Sequence, residues 1–323
     1  MTKPRVVSVI VGTRNRPDTL RDALASIRAL EGPDLTFEIL VGDNGTTPET
    51  PGVVAAFGGV YDRTDTYGCP AARNLAMRKM SGEFVAFLDD DDVWLPGNIR
   101  PQIALLDAQP ELAAAFGQIV VSDQNLKPLG DPWPTQWPAD NDIYVQMLSG
   151  YFPQVGGTVV RGDIARRYGL MDESLIGDSD WDWQLRITSA HKVGFVPVPS
   201  VNCRGRPPGT SDKLQITRAG YTRKIFLRFA PRTLGRWRNP VAVLKSYFAC
   251  MTPYYDYFVT AAEERARSGD AAGARFALWH AFWLNPNRLV KNLMTSVSLR
   301  GVVRAAITKS PLPRGDAEAK LGA

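Results

Sequence analysis

Gly82-Glu-Phe-Val-Ala-Phe-Leu-Asp-Asp-Asp-Asp-Val-Trp-Leu-Pro96 is the stretch on which the reading of this chain turns. Phe84 to Leu88 is an unbroken apolar run, short enough for a buried strand and too short for a helix. Asp89, Asp90, Asp91 and Asp92 therefore leave that strand at its C-terminal end. In an open α/β sheet this is the edge where ligands bind. Four adjacent carboxylates repel one another unless a cation sits among them. A divalent metal carrying a diphosphate suits such a cluster, because hard cations take oxygen ligands. The same residues also suit a solvated acidic loop. They suit equally a helix N-terminus, with aspartates ahead of Val93-Trp94-Leu95-Pro96.

Working outward, Val6 to Val11 and Phe37 to Val41 repeat the buried-strand pattern, the second closed by the turn sequence Gly42-Asp43-Asn44-Gly45. Helical spacing follows at Leu20, Leu24 and Ile27, over Val53 to Phe57, over Ala71 to Met80 and over Pro96 to Leu106. Ala113 to Val121 predicts another strand. Strand and helix in alternation predict a mostly parallel, doubly wound sheet. Asp123 to Asp142 is rich in Pro, Trp and Asp without periodicity and reads as loop. Gly156-Gly157-Thr-Val-Val predicts a strand, Arg161 to Tyr168 and Trp181 to Ser189 predict helices, and Val193 to Val198 predicts a last strand. Beyond about Leu214 only helical patterns continue, to about Ile307, ahead of a polar tail that reads as disordered.

The 323 residues suit one large domain or two smaller ones. Cys69, Cys203 and Cys250 are scattered, which fits a reducing compartment and supports neither a disulfide framework nor a zinc site. There is no signal-peptide pattern and no long uncharged apolar run. A cytoplasmic protein is expected, or one peripheral on the cytosolic face of a membrane. The net charge of +5 is unevenly placed: residues 213–323 hold 19 Lys/Arg against 6 Asp/Glu, leaving 19 against 27 for the rest. An acidic body with a basic tail is expected, and no nucleic-acid recognition motif accompanies the tail.

Five blocks in order resemble glycosyltransferase family 2, the inverting nucleotide-sugar enzymes of the GT-A fold. They are Val7 to Arg16, Glu38 to Gly45, Gly68 to Ala76, Gly82 to Pro96, and Met171 to Leu175 with Asp178 to Arg186. The resemblance covers residues 1–212 and implies a catalytic GT-A domain there, with 213–323 a basic helical extension. It implies a UDP-sugar donor and transfer to a hydroxyl of a glycan or lipid-linked glycan. Thr13, Asn15, Arg16, Asp43, Arg73, Asp89 and Asp90 would contact the nucleotide. Asp91, with Asp89, would hold Mg²⁺ or Mn²⁺, and Asp92 would instead cap a helix starting near Trp94. Asp43 also suits an Asx turn, and Arg73 also suits an ion-pair partner of the aspartates. Gly12 stands where relatives usually have proline, a departure expected to alter only turn rigidity.

Relatives carry Glu-Asp where this chain has Ser179-Asp180, so Asp180 maps onto the general base, with Asp182 a helix-terminal acid. Trp181 and Trp183 suit either a sugar face or buried packing. Relatives often place Tyr-Arg-x-His after the last strand; here Cys203-Arg204-Gly205-Arg206-Pro207 stands instead, and the only histidines are His191 and His280. Arg204 and Arg206 are then candidates for the diphosphate, and Gly156 with Trp181 for diphosphate or acceptor contacts. The basic helices suit a bundle, a homodimer contact or a surface for anionic lipid. Gly269 to Arg275 with Ala281 to Pro286 resembles half of a tetratricopeptide-type hairpin. Two rival functions are a sugar nucleotidyltransferase, which lacks its glycine-rich phosphate loop here, and a catalytically degenerate glycan- or nucleotide-binding scaffold.

Overall fold

The computed structural model describes residues 4–150, 153–205, 212–237 and 240–309. They form two compact units, one of Met1–Met147 with Tyr151–Gly209, the other of Leu148–Gly150 with Thr210–Ala323. Arg206 and the polar tail beyond Lys309 lie outside the described residues.

In the first unit the chain runs β1 (Arg5–Thr13), α1 (Pro17–Arg28), β2 (Leu35–Asp43), α2 (Thr50–Ala56), β3 (Val60–Arg63), α3 (Cys69–Met77) and β4 (Phe84–Asp89). Then follow β5 (Val93–Trp94), α4 (Arg100–Ala108), β6 (Leu112–Val121), α5 (Tyr144–Leu148), a 3-10 turn (Val155–Gly157), β7 (Thr158–Arg161), α6 (Gly162–Tyr168), α7 (Ser179–Thr188) and β8 (Lys192–Cys203). One eight-stranded sheet has the order β3-β2-β1-β4-β7-β6-β8-β5. Pairing is parallel for β1 with β2 and β4, β2 with β3, and β6 with β8; β7 runs antiparallel to both neighbours, and β5 antiparallel to β8. The expected mostly parallel sheet is therefore present, with two reversed strands.

The core explains the apolar runs. Val7, Val9, Val11, Phe37, Ile39, Val41, Phe84, Ala86 and Leu88 line one cluster with Leu20, Leu24 and Ile27 of α1. Alternate residues such as Ile10, Leu40, Val85 and Phe87 are equally buried on the other face. Strands covered on both faces read as continuous hydrophobic sequence.

One expectation fails at the aspartates. No helix starts near Trp94: Val93 and Trp94 pair with Asn202 and Val201, and α4 begins at Arg100 with Ile99 at its N-cap. Trp94 is buried, and its indole N–H donates to the Gly156 carbonyl at 2.9 Å. Tertiary pairing with β8 overrides the local cap signal.

The second unit consists of α8 (Asp212–Trp237), α9 (Pro240–Arg267), α10 (Ala271–Leu284), α11 (Pro286–Thr295) and α12 (Val297–Thr308). Tyr255, Phe258, Ala262, Ala274, Ala277, Ala281, Leu299 and Val302 form its core. Asp270 caps α10 by accepting the Gly273 N–H, and Asn285 and Ser296 cap α11 and α12 in the same way. Among the described residues no helix is long and apolar enough to cross a membrane.

Candidate active site

Sheet register assembles the site. Thr13 lies opposite Asp43 across β1 and β2, and Gly12 lies opposite Asp89 across β1 and β4. Three strand ends therefore bring Thr13, Asp43 and Asp89 to one edge. The sheet order reverses direction between β1 and β4, the topological switch point at which α/β proteins bind ligands.

Helix α3 reaches this edge because two glycines let it come close. A Cβ on Gly42 would lie 1.8 Å from the Ala72 carbonyl oxygen, and one on Gly12 would lie 3.0 Å from Arg73 Cγ. Gly12 lies within β1, so its departure from proline concerns room for Arg73 and not the rigidity of a turn. Arg73 is thereby pressed into the protein, with 5% of its side chain exposed. Its guanidinium donates to Asp89 and, at 3.4 Å, to Asp180. The neighbouring Asn74 donates to the Met171 carbonyl at 3.0 Å and to Glu173 at 2.9 Å, and accepts the Met171 N–H at 2.9 Å. One turn of α3 thus faces the aspartates and also fastens the segment that leads into α7.

The four aspartates take different environments. Asp90 is buried and accepts from Thr13 Oγ1 at 2.7 Å and from Arg16 at 3.0 Å. Burial pushes its carboxyl up to about 6, against the opposing effects of Thr13 and Arg16. Asp91 pairs with Arg16 at 2.9 Å. Asp92, expected as a helix cap, instead accepts the Arg204 backbone N–H at 2.8 Å. Burial, followed by the charges of Asp89 and Asp91, raises its pKa well above the carboxylate range. Gln154 donates to Asp89 at 3.1 Å and to Asp92 at 3.3 Å. One oxygen from each of Asp89, Asp91 and Asp92 lies within 4.8 Å of the others. An all-oxygen donor set from three carboxyl groups suits a hard divalent cation, whose charge would favour their ionised forms, so the residues fit Mg²⁺ or Mn²⁺. Asp92 takes a place in this cluster.

Asp180 enters from the first turn of α7. One oxygen accepts the Trp181 N–H at 2.9 Å and the other faces Arg73, with about a fifth of the side chain exposed. Burial raises its pKa, Arg73 opposes this, and Asp89 and Asp178 add to it. A carboxylate with a raised pKa that is still partly open to solvent is suited to accept a proton. The rest of α7 is structural. Trp183 is fully buried, lies edge-on to Phe87 at 5.1 Å and donates to the Gly169 carbonyl at 2.8 Å. Trp181 is 5% exposed, and its indole N–H donates to the Met147 carbonyl at 3.1 Å, which answers to buried packing and leaves no open face for a sugar. Asp182 is buried and pairs with Arg186 at 3.2 Å.

Asp43 accepts the Gly45 N–H at 2.6 Å, the contact of an Asx turn, and the Tyr61 hydroxyl at 3.0 Å. A carboxylate has further acceptor sites, so a third donor can still be received. Asn15, held at φ 55°, accepts from the Thr46 and Thr47 N–H groups at 2.7 and 3.1 Å and shapes the loop beside it. The Arg204 guanidinium donates to the Asp91 and Gln124 carbonyls and to Asp22, so it is bound within the fold. Gly156 offers its carbonyl to Trp94 and its N–H to Gln154. Gln154 and Tyr61 carried no sequence signal, since each acts only through a partner distant in the chain. Asp92 carried one: four adjacent carboxylates exceed what a cap needs.

Comparison with known proteins gives the following. The profile described as glycosyl transferase family 2 matches residues 8–153. An uncharacterized glycosyltransferase of Rickettsia typhi is 26% identical over 196 residues, 59% of this chain and 61% of its own length. The Escherichia coli protein WfgD, a UDP-Glc:alpha-D-GlcNAc-diphosphoundecaprenol beta-1,3-glucosyltransferase, is 31% identical over 124 residues, 37% of this chain and 48% of its own. The chain thus spans about three-fifths of the first of these relatives and about half of the second. The crystal structure of S. aureus TarS 1-349 superposes with a TM-score of 0.61 at 16% identity, covering 94% of this chain and 87% of that one. The same fragment is also known in complex with UDP-GlcNAc. At such identity the likeness establishes the fold.

Proposed function

The chain belongs to glycosyl transferase family 2 and has the GT-A fold, and on that footing we propose that it is an inverting glycosyltransferase. It moves a sugar from a UDP-sugar to a hydroxyl of a glycan, in the reading we favour a glycan carried on a lipid diphosphate. The carrying observation is the position of Arg73, whose guanidinium meets Asp89 from β4 and Asp180 from α7. Two acidic sites about ninety residues apart in sequence thereby become one site. UDP and lipid-diphosphate chemistry in WfgD, and UDP-GlcNAc on TarS, support the donor and acceptor classes.

In this reading Thr13, Asn15, Arg16, Asp43, Arg73 and Asp90 cradle the nucleoside, with Asp43 accepting a base N–H. Asp89, Asp91 and Asp92 hold Mg²⁺ or Mn²⁺, which when bound neutralises charge on the departing diphosphate. The acceptor hydroxyl lies against Asp180. As its oxygen forms a bond to C1 of the sugar, its proton passes to the Asp180 carboxylate. The bond from C1 to the diphosphate oxygen breaks, and its electron pair leaves with UDP. Attack opposite the leaving group inverts C1 in one displacement, through an oxocarbenium-like state. Arg73 keeps the base oriented and ionised before the acceptor arrives. The residues named here all belong to the first unit.

A panel of UDP-sugars with Mn²⁺ and a glycan diphospholipid acceptor tests the proposal through UDP release and the product's anomeric configuration by NMR. Release with an inverted anomer is expected. A retained anomer, or no UDP-sugar bound at all, contradicts it.

A further inference from the structure

Helix α10 is built inside out. Its buried positions are the small residues Ala274, Ala277 and Ala281, whereas Phe276, Trp279, Phe282 and Trp283 are 43%, 59%, 38% and 63% exposed. At 100° per residue those four side chains fall on one arc of about 120°. Trp279 and Trp283, one turn apart, touch edge to face at 5.5 Å, and Phe282 and Trp283 meet at 5.6 Å. The apolar exposure continues through Val290 and Met294 on α11 and Val297 and Ile307 on α12. Folding in water alone would turn the aromatics inward and the alanines outward. A contiguous aromatic face of this kind marks a surface that meets something other than water.

Charge identifies what it meets. Residues 271–309 contain six Lys/Arg and no Asp/Glu. Arg275, Lys291, Arg300, Arg304 and Lys309 are exposed. We propose that the face of α10 bearing Phe276, Trp279, Phe282 and Trp283 is a docking surface for an anionic lipid bilayer. The indole rings enter the headgroup boundary, where an apolar body with a polar edge is most stable. The cations of α11 and α12 lie over the lipid phosphates. A second copy of this face is disfavoured, because association would bring together two copies of a stretch, residues 271–309, that holds six cations and no Asp/Glu. No span is involved; the unit lies on the membrane. The inference rests on the second unit alone and holds whatever the first unit transfers.

The test is co-sedimentation of the full chain with sucrose-loaded vesicles, either phosphatidylcholine alone or with a third phosphatidylglycerol, without donor or acceptor present. Strong binding to the anionic vesicles, weak binding to the neutral ones, and release by raised salt are expected. The double substitution Trp279→Ala with Trp283→Ala weakens anionic binding at least about tenfold, given the apolar area removed. Both residues are exposed, so circular dichroism and thermal midpoint stay near those of the parent. If that pair compromises folding, Lys291→Glu with Arg304→Glu supplies the second arm, with an expected loss of at least about tenfold. Equal binding of parent and both variants overturns the inference, as does failure of the parent to sediment. A concentration-dependent dimer by light scattering that the Trp pair abolishes, without vesicle binding, assigns the face to self-association instead. UDP release on a water-soluble acceptor, measured in parallel, stays at the parent rate in both variants; if it alone is absent, the reaction proposed above fails and the lipid surface stands.

Discussion

Replacing Arg73 by methionine removes a cation that faces both acidic sites and leaves the hydrocarbon volume nearly unchanged. Breaking a buried ion pair from one side costs about 3–5 kcal/mol, chiefly because the remaining charge is stranded. Asp89 and Asp180 are 25% and 21% exposed at their side chains, so water relieves part of that penalty. A loss of about 3 kcal/mol is expected, lowering the thermal midpoint of the first unit by about 6–12 °C. The loss depends on pH with a definite sign. Burial already raises the Asp180 pKa in the folded protein, with Arg73 opposing it, so Arg73→Met raises it further. A folded carboxyl raised above its unfolded value of about 3.9 binds its proton more tightly when folded. Stability therefore falls as pH rises from about 4 through the folded pKa. The deficit of Arg73→Met should be larger at pH 8 than at pH 5, read as urea midpoints by near-ultraviolet circular dichroism. Adding Asp180→Asn, which removes one stranded charge, should restore at least about 1 kcal/mol at pH 8. A variant within about 1 kcal/mol of the parent at both pH values would refute this account of Arg73.

Other expectations follow from single contacts. Gly42→Ala forces α3 away from β2, costing about 1–3 kcal/mol and weakening UDP binding by calorimetry. Trp183→Ala empties a fully buried site and costs about 3–5 kcal/mol in urea unfolding. The acid limb of the turnover profile should lie above the usual carboxylate range because Asp180 must be ionised to act, and a limb at about 3.9 or below would count against that role. Asp92→Asn should weaken Mn²⁺ binding in the presence of UDP about tenfold or more by calorimetry, and unaltered affinity removes Asp92 from the cation cluster.

Much of the first unit was legible because its strands are buried on both faces. Phe84 to Leu88 is a continuous apolar run, Val6 to Val11 is broken only by Ser8, and the carboxylates that follow Leu88 mark the sheet edge without further information. What escaped depends on partners distant in sequence. Val93 and Trp94 look like a helix start after an aspartate cap, yet Asn202 and Val201 take them into the sheet. Val60–Arg63 is an edge strand with two exposed residues and no apolar alternation. Gln154 reaches Asp89 and Asp92 only because the 3-10 turn beside it is fixed by Trp94. Arg73 was visible as a cation near acids, but its contact with Asp180 across more than a hundred residues required the fold. In the second unit the helical spacing was plain, while the outward turn of the α10 aromatics was not: a helix that is hydrophobic all round does not declare which face is buried.

The central claim is that Asp180 takes the acceptor's proton at a site that binds the donor independently of it. Asp180→Asn, which keeps the shape and removes the base, separates these two roles. UDP-sugar affinity with Mn²⁺ should stay within about threefold of the parent, while turnover to the glycan acceptor falls by about 10²-fold or more. Full turnover in Asp180→Asn would contradict the account at its centre.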